Sequence, residues 1–225
     1  MNLTLKRMLR LVAGLMLYGP GIVMTMKADL GYAPWEVFHS GIGMTLGLSI
    51  GTVSILAGAC IVFFAALLGE KIGVGTLLNM TLIGISTDLV LHLDLIPVQT
   101  RLPAQVLLMA AGLLTIAFSA YLYIGTGYGA GPRDSLMVAL MRRTGFSAGF
   151  CRFVIEGSAV LTGYLLGGPV GFGTVLAAFG AGFCIQIVFQ LMRFDAAKVR
   201  QESLDVTLKQ WFGRRQTLKK RFGEE

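Results

Sequence analysis

The chain has 225 residues, 55% of them hydrophobic and only 14% charged, with 30 glycines and a mean hydropathy of +0.72. A domain that folds in water carries about 25% charged residues, so this composition excludes a soluble enzyme or soluble binding module and indicates an integral membrane protein of several spans. The formal net charge is +7, but residues 193–225 hold nine Lys/Arg against five Asp/Glu and the other ten basic residues are scattered among apolar runs, which excludes a nucleic-acid footprint and fits basic loops and tails on the cytoplasmic side.

In chain order, the N-terminal MNLTLKRMLRLVAGLMLYG has the charge and apolar run of a signal peptide but no small-residue cleavage site after it. It predicts a first helix over about 7–27, kinked by Pro20 between Gly19 and Gly21. A break at Gly31–Pro34 follows, then a short helix over 35–46, well under the ~30 Å hydrocarbon thickness at 1.5 Å per residue. Spans are predicted over 50–69 and 74–93, separated by a turn at Gly69–Gly73. Residues 94–103 form a linker. A span at 104–125, a Gly-rich break at 125–131, a short helix at 132–143 and spans at 149–166 and 172–192 complete the membrane part. In the polar tail, Val199, Leu204, Leu208, Trp211 and Phe212 fit an amphipathic helix on the membrane face.

A shift of 98 residues lays the chain on itself without a gap. Gly31, Pro34 and Glu36 fall on Gly129, Pro132 and Asp134; Gly73, Gly75 and Thr76 fall on Gly171, Gly173 and Thr174. The expected fold is therefore all-α, a polytopic helical membrane protein of two tandem homologous repeats, each of three long helices and one short Pro-started helix. The units are 5–95 and 103–193, with a basic cytoplasmic tail at 194–225. Repeats of this kind build transporters with the site at the repeat interface. Charge at both ends of the second short helix, Arg133/Asp134 and Arg142/Arg143, favours eight crossings over six, because a re-entrant tip would bury one of those ends.

The chemistry concentrates at the two breaks. Pro34 and Pro132 suit the first position of a helix, where the missing N–H is not needed, and Glu36 and Asp134 then lie in the first turn, where negative charge suits the helix dipole. Good capping explains the carboxylates; it does not explain Trp35 and Arg133 at the same repeat position. A cation and an aromatic ring beside a helix start can hold an anionic or zwitterionic ligand. Arg152 and Glu156, four apart on a predicted span, share a face, and an ionisable group inside the bilayer is a site candidate by default. Asp88 is a weaker candidate at the repeat position of Gln186; Gln186 and Asn79 read as helix-to-helix hydrogen-bonding residues. Gly73-x-Gly75-Thr76 and Gly171-x-Gly173-Thr174 lack the strand and Lys of a phosphate loop and read as close-packing motifs, with Gly31 and Gly131 as break glycines. Cys60, Cys151 and Cys184 sit in apolar runs, and His39 and His92 lie far apart, so neither a metal nor a cofactor is expected. No enzyme motif is present.

GAGPRDSLMVAL (129–140), IEGSAVLTGYLLGGPVGFGT (155–174) and the first copy LGYAPWEVFHSGI (30–42) resemble the YczE/YyaS/YitT family of bacterial membrane proteins. The resemblance covers the chain through residue 192 and implies a multi-span protein of the bacterial cytoplasmic membrane, with Gly131, Pro132, Arg133, Asp134, Glu156, Gly171, Gly173 and Thr174 as motif positions. It implies no substrate. The expected function is a small secondary transporter or permease for an anionic or zwitterionic molecule, with both termini cytoplasmic, the bilayer as its medium and anionic lipid at the tail. The alternative is a non-transporting scaffold or assembly factor acting through helix faces and the tail. Oligomeric state is left open.

Overall fold

The structure, a computed structural model, describes residues 3–199 and 201–207. Among these the chain is all helical: α1 (Leu3–Lys27), α2 (Pro34–Leu46), α3 (Ile50–Leu67), α4 (Val74–Leu93), α5 (Leu102–Ile124), α6 (Pro132–Thr144), α7 (Ala148–Leu165) and α8 (Phe172–Leu191), with a short 3₁₀ turn at Ala196–Lys198. Of the residues proposed for an amphipathic tail helix, Leu208, Trp211 and Phe212 lie outside the described residues.

Local chemistry sets the ends. Both short helices start on proline, after the extended residues Ala33 and Gly131, and stop at left-handed glycines, Gly47 and Gly145. Ser49 and Ser147 cap α3 and α7 by accepting the Thr52 and Phe150 N–H groups. Helix α1 runs on through Pro20. Proline there leaves the carbonyl four residues earlier without its helical donor. That carbonyl, on Met16, accepts the Ser86 hydroxyl of α4 at 2.6 Å, which satisfies a group that hydrocarbon cannot.

Helices α1 and α5 form the central pair and run antiparallel: Arg7 donates to the Thr126 carbonyl, Gly14 lies against Tyr123, and Gly21 against Gly112. Lipid offers no hydrophobic drive between helices, so close backbone approach at small residues carries the packing. Leu11, Leu15, Ile22 and Met26 interdigitate with Ile116, Ala120 and Tyr123 across this seam. Helix α4 lies beside α1 and parallel to it, since Ser86 meets Met16 and Asp94 pairs with Lys27. Helix α8 lies beside α5 and parallel to it, with Gly173 at Met109 and Gly180 at Leu113. Helix α3 is antiparallel to α4, Gly51 against Gly84 and Gly58 against Met80. Helices α2 and α6 pack between α3 and α7.

These directions fix the topology. Helix α1 ends on the face distal to the N-terminus, and α3 starts from that same face, so residues 28–49 enter the molecule and leave again without crossing. Helix α5 ends on the N-terminal face, and α7 departs from it, so residues 125–147 do the same from the other side. Six helices run between the faces. Five of them are long and apolar enough to cross a membrane, and the sixth, α7, has the 18 residues of α3 but carries Arg152 and Glu156. The expectation of eight crossings is corrected. Charge at both ends of α6 is compatible with a re-entrant helix because the buried end, at Arg133, opens into a polar cavity rather than lipid.

Gly-x-Gly-Thr is the clamp that holds each break. The Gly75 N–H donates to the Tyr128 carbonyl at 2.7 Å and the Gly173 N–H to the Leu30 carbonyl at 2.5 Å. Thr76 Oγ1 accepts the Gly73 N–H and donates to the Ala130 carbonyl, and Thr174 Oγ1 accepts the Gly171 N–H. A side chain at Gly73 would overlap the Tyr128 carbonyl. Gly73→Ala is therefore expected to destabilise the fold by about 1–3 kcal/mol, the range for overpacking against backbone that cannot yield, measured by thermal unfolding in detergent. An unchanged midpoint would mean that the segment before α6 is not held there.

Candidate functional site

The starts of α2 and α6 meet inside the molecule and wall a cavity of about 290 Å³. Trp35, Arg133, Asp134, Arg152 and Glu156 line it. Arg133 lines it between Glu36 and Trp35. Its Nη2 lies 3.7 Å from Glu36 Oε1, and its Cζ sits 4.6 Å from the centre of the Trp35 ring. The Glu36 side chain is 6% exposed and that of Arg133 37%, so the carboxylate is enclosed while the guanidinium still faces the cavity. On α7, Arg152 Nε donates to Glu156 Oε1 at 2.8 Å, the pairing expected of residues one helical turn apart.

Six of the seven candidate side chains thus converge from α2, α6 and α7. Asp88 stands apart. It accepts the Ser49 hydroxyl and the Gly51 N–H, the latter at 2.8 Å, and so supports the start of α3. Carboxylates bonded to the free N–H groups of a helix start are worth about 0.5–2 kcal/mol. Asp88→Ala is expected to lower stability by about that amount, by thermal unfolding, and to leave any small-molecule binding measured for the wild type within twofold. A large loss of affinity with unchanged stability would reverse the assignment.

The sequence reading misses part of the lining. Tyr18, His39, Asn79 and Tyr123 also face the cavity. His39 is buried next to Trp35 on α2, with ring centres 6.1 Å apart. Asn79, read as a helix-to-helix residue, reaches the cavity beside Gly131. The available signal was the polar tip: a Tyr, His or Asn deep in an apolar run needs a polar partner or a cavity. Among the described residues no group of three His, Cys, Asp or Glu converges as a metal site.

The outer faces differ in charge. Lys6, Arg7, Arg10, Lys71, Arg142, Arg143, Arg193 and Lys198 belong to the N-terminal face; Lys27 and Arg101 belong to the distal one. Residues 201–207 close over the N-terminal face. Glu202 pairs with Arg7 at 2.9 Å and its N–H donates to the Gly127 carbonyl, while Gln201 accepts the Gly129 N–H and the Leu204 N–H donates to the Ile72 carbonyl.

Membrane-length helices around two opposed re-entrant helices, with charge buried where they meet, define a polytopic membrane protein with an intramembrane polar site. The chain belongs to the family of unknown function DUF6198, whose profile matches residues 5–190. It is 33% identical to the uncharacterized membrane protein YczE of Bacillus subtilis over 192 residues, 83% of this chain and 88% of that one. It is 33% identical to an uncharacterized protein of Haemophilus influenzae over 182 residues, 81% and 83% of the two chains. Over 182 residues it is 22% identical to the uncharacterized protein YyaS of Bacillus subtilis, 80% and 90% of the two chains. No solved structure matches the chain.

Proposed function

We propose that this protein is a small secondary transporter or permease, made of two inverted copies of one unit (5–95 and 103–193), that carries a zwitterionic small molecule through the cavity between α2 and α6 without altering it covalently. The observation that carries the reading is Arg133, enclosed between Glu36 and Trp35 at the meeting of two helix starts. The inverted repeat is supported by the 98-residue offset, by paired helix lengths of 13, 18 and 20 residues in the two halves, and by the antiparallel α1–α5 seam. Inverted repeats place a substrate site at mid-membrane, where broken helices aim their starts at it.

Charge arithmetic narrows the ligand. Glu36, Asp134 and Glu156 bring three negative charges and Arg133 and Arg152 two positive ones, when all are ionised. Two helix starts add roughly half a positive charge each. The sum is near zero, which suits a zwitterion better than a multiply charged anion. The basic N-terminal face supports a cytoplasmic position for both termini in a bacterial inner membrane, with the tail near anionic lipid.

The second reading, a scaffold or assembly factor acting through its tail, draws on the docking of residues 201–207 across the loops of the N-terminal face. Two experiments separate them. Purified, reconstituted protein is expected to gain thermal stability with at least one zwitterionic metabolite in a broad screen, and to lose that gain in Arg133→Ala. Deleting 208–225 is expected to leave it intact. No stabilising ligand, with a phenotype lost on tail deletion alone, would favour the scaffold.

A further inference from the structure

The central cavity shares two lining residues with a second recess. Arg152 and Glu156, which line it from α7, also line a groove of about 640 Å³ between α7 and α8, whose α7 wall runs from Gly149 to Tyr164. Much of the remaining wall is apolar and exposed, with Phe153, Leu161 and Tyr164 on α7 and Val175 and Phe179 on α8, while Pro34 and Thr174 are buried in it. Its exposed apolar wall faces bilayer hydrocarbon, and the Arg152–Glu156 pair lies on the wall that it shares with the cavity.

The groove exists because α7 stands off α8. In the first half the corresponding helices, α3 and α4, are packed backbone to backbone at Gly51 and Gly84. The 98-residue offset carries those glycines to Gly149 and Gly182, and a Cβ at either would meet nothing within 4 Å; the same holds at Gly157. Ligand pockets run about 300–1,000 Å³, and the groove falls within that range. The groove has ligand dimensions. A molecule that lies in it has hydrocarbon along most of its length and meets charge at the Arg152–Glu156 pair.

The geometry points to a membrane-side entrance, closed by α7 moving onto α8, for a single-chain amphiphile with a zwitterionic head. The head reaches Arg152, Glu156 and Arg133, and the chain lies between α7 and α8. This rests on the reading of the central cavity as a ligand site, and it names the substrate class.

The test uses the full chain in nanodiscs, with equilibrium binding of radiolabelled lysophosphatidylcholine of twelve-carbon chain and of its chainless counterpart, glycerophosphocholine. Gly157→Trp fills the groove from a position with open space around it, so unfolding midpoints should match wild type; Gly157→Leu is a smaller filler. Competable lysophosphatidylcholine binding is expected to fall at least tenfold in Gly157→Trp and by less in Gly157→Leu, while glycerophosphocholine binding stays within twofold. Equal lysophosphatidylcholine binding by wild type and both variants overturns the entrance. So does wild-type binding of glycerophosphocholine alone, which leaves the cavity reading standing. Binding of neither probe overturns the entrance, and the cavity reading then stands or falls with the metabolite screen. A dimer that becomes a monomer in Gly157→Trp, without probe binding by wild type, assigns the groove to a second copy and also overturns the proposal.

Discussion

Arg133→Ala is expected to cost about 3.5–5 kcal/mol of stability and to abolish ligand-induced stabilisation. The reasoning starts from Glu36, whose carboxylate is 6% exposed and has the Arg133 guanidinium 3.7 Å away. Removing one partner of a buried pair costs about 3–5 kcal/mol, chiefly because the other charge stays behind without compensation. The lower end applies here, since Arg133 is 37% exposed to the cavity. Loss of the cation over Trp35 adds roughly 0.5–2 kcal/mol of attraction forgone. Glu36→Gln combined with Arg133→Gln removes both charges together, so its unfolding midpoint should return close to wild type while the ligand response stays absent. That split between stability and binding is the informative readout. A single variant as stable as wild type would show that the pair does not hold the two helix starts together. A double variant that still binds would show that Arg133 is not the ligand's cation. Arg133→Lys sharpens the point: it keeps the charge but loses the flat face that stacks on Trp35, and should retain stability better than affinity.

The breaks were legible in the sequence because glycine and proline act through local sterics. Pro34 and Pro132 start helices wherever the chain goes, and Gly47 and Gly145 stop them in the left-handed conformation. Trp35, Glu36 and Arg133 were legible as candidates, because a charge inside an apolar run is costly and persists where a partner or a polar cavity compensates it. Helix direction was not legible. Whether α2 crosses or returns depends on where α3 departs, and that is set by the Gly51–Gly84 and Met16–Ser86 contacts between segments distant in sequence. The positive-inside rule could not substitute, since Lys71, Arg142 and Arg143 fit either count of crossings until the helix directions are known. Asp88 misled for a related reason. A carboxylate on a predicted span reads as intramembrane chemistry, yet its partner is the N–H of Gly51 at the start of α3, a tertiary contact that spacing does not encode. Asn79 and His39 were underrated because a single polar group on a helix face is satisfied equally well by a neighbouring helix or by a cavity.

A cross-link between α7 and α8 is expected to trap the lateral entrance shut. The protein would carry Gly149→Cys and Gly182→Cys, with the free thiols Cys60, Cys151 and Cys184 changed to Ala. In the open arrangement a Cβ at residue 149 or 182 has no neighbour within 4 Å, whereas a disulfide needs Cβ atoms about 3.5–4.5 Å apart. Oxidation therefore links them when α7 moves toward α8, stopping short of the backbone contact of α3 on α4, where a Cβ at either glycine would overlap backbone. In the native chain these glycines are the register copies of the pair that lets α3 and α4 touch, and neither fills the gap with a side chain. The expected result is a bond that forms under mild oxidation and faster with lysophosphatidylcholine present. The oxidised protein should bind that probe at least tenfold more weakly when it is added afterwards, and reduction should restore binding. Absence of any cross-link would make the gap a fixed groove and remove the moving gate. A cross-link with unchanged binding would mean that ligand reaches the cavity by another route, and the N-terminal face, where Glu202 meets Arg7 over the loop before α6, is then the next place to test.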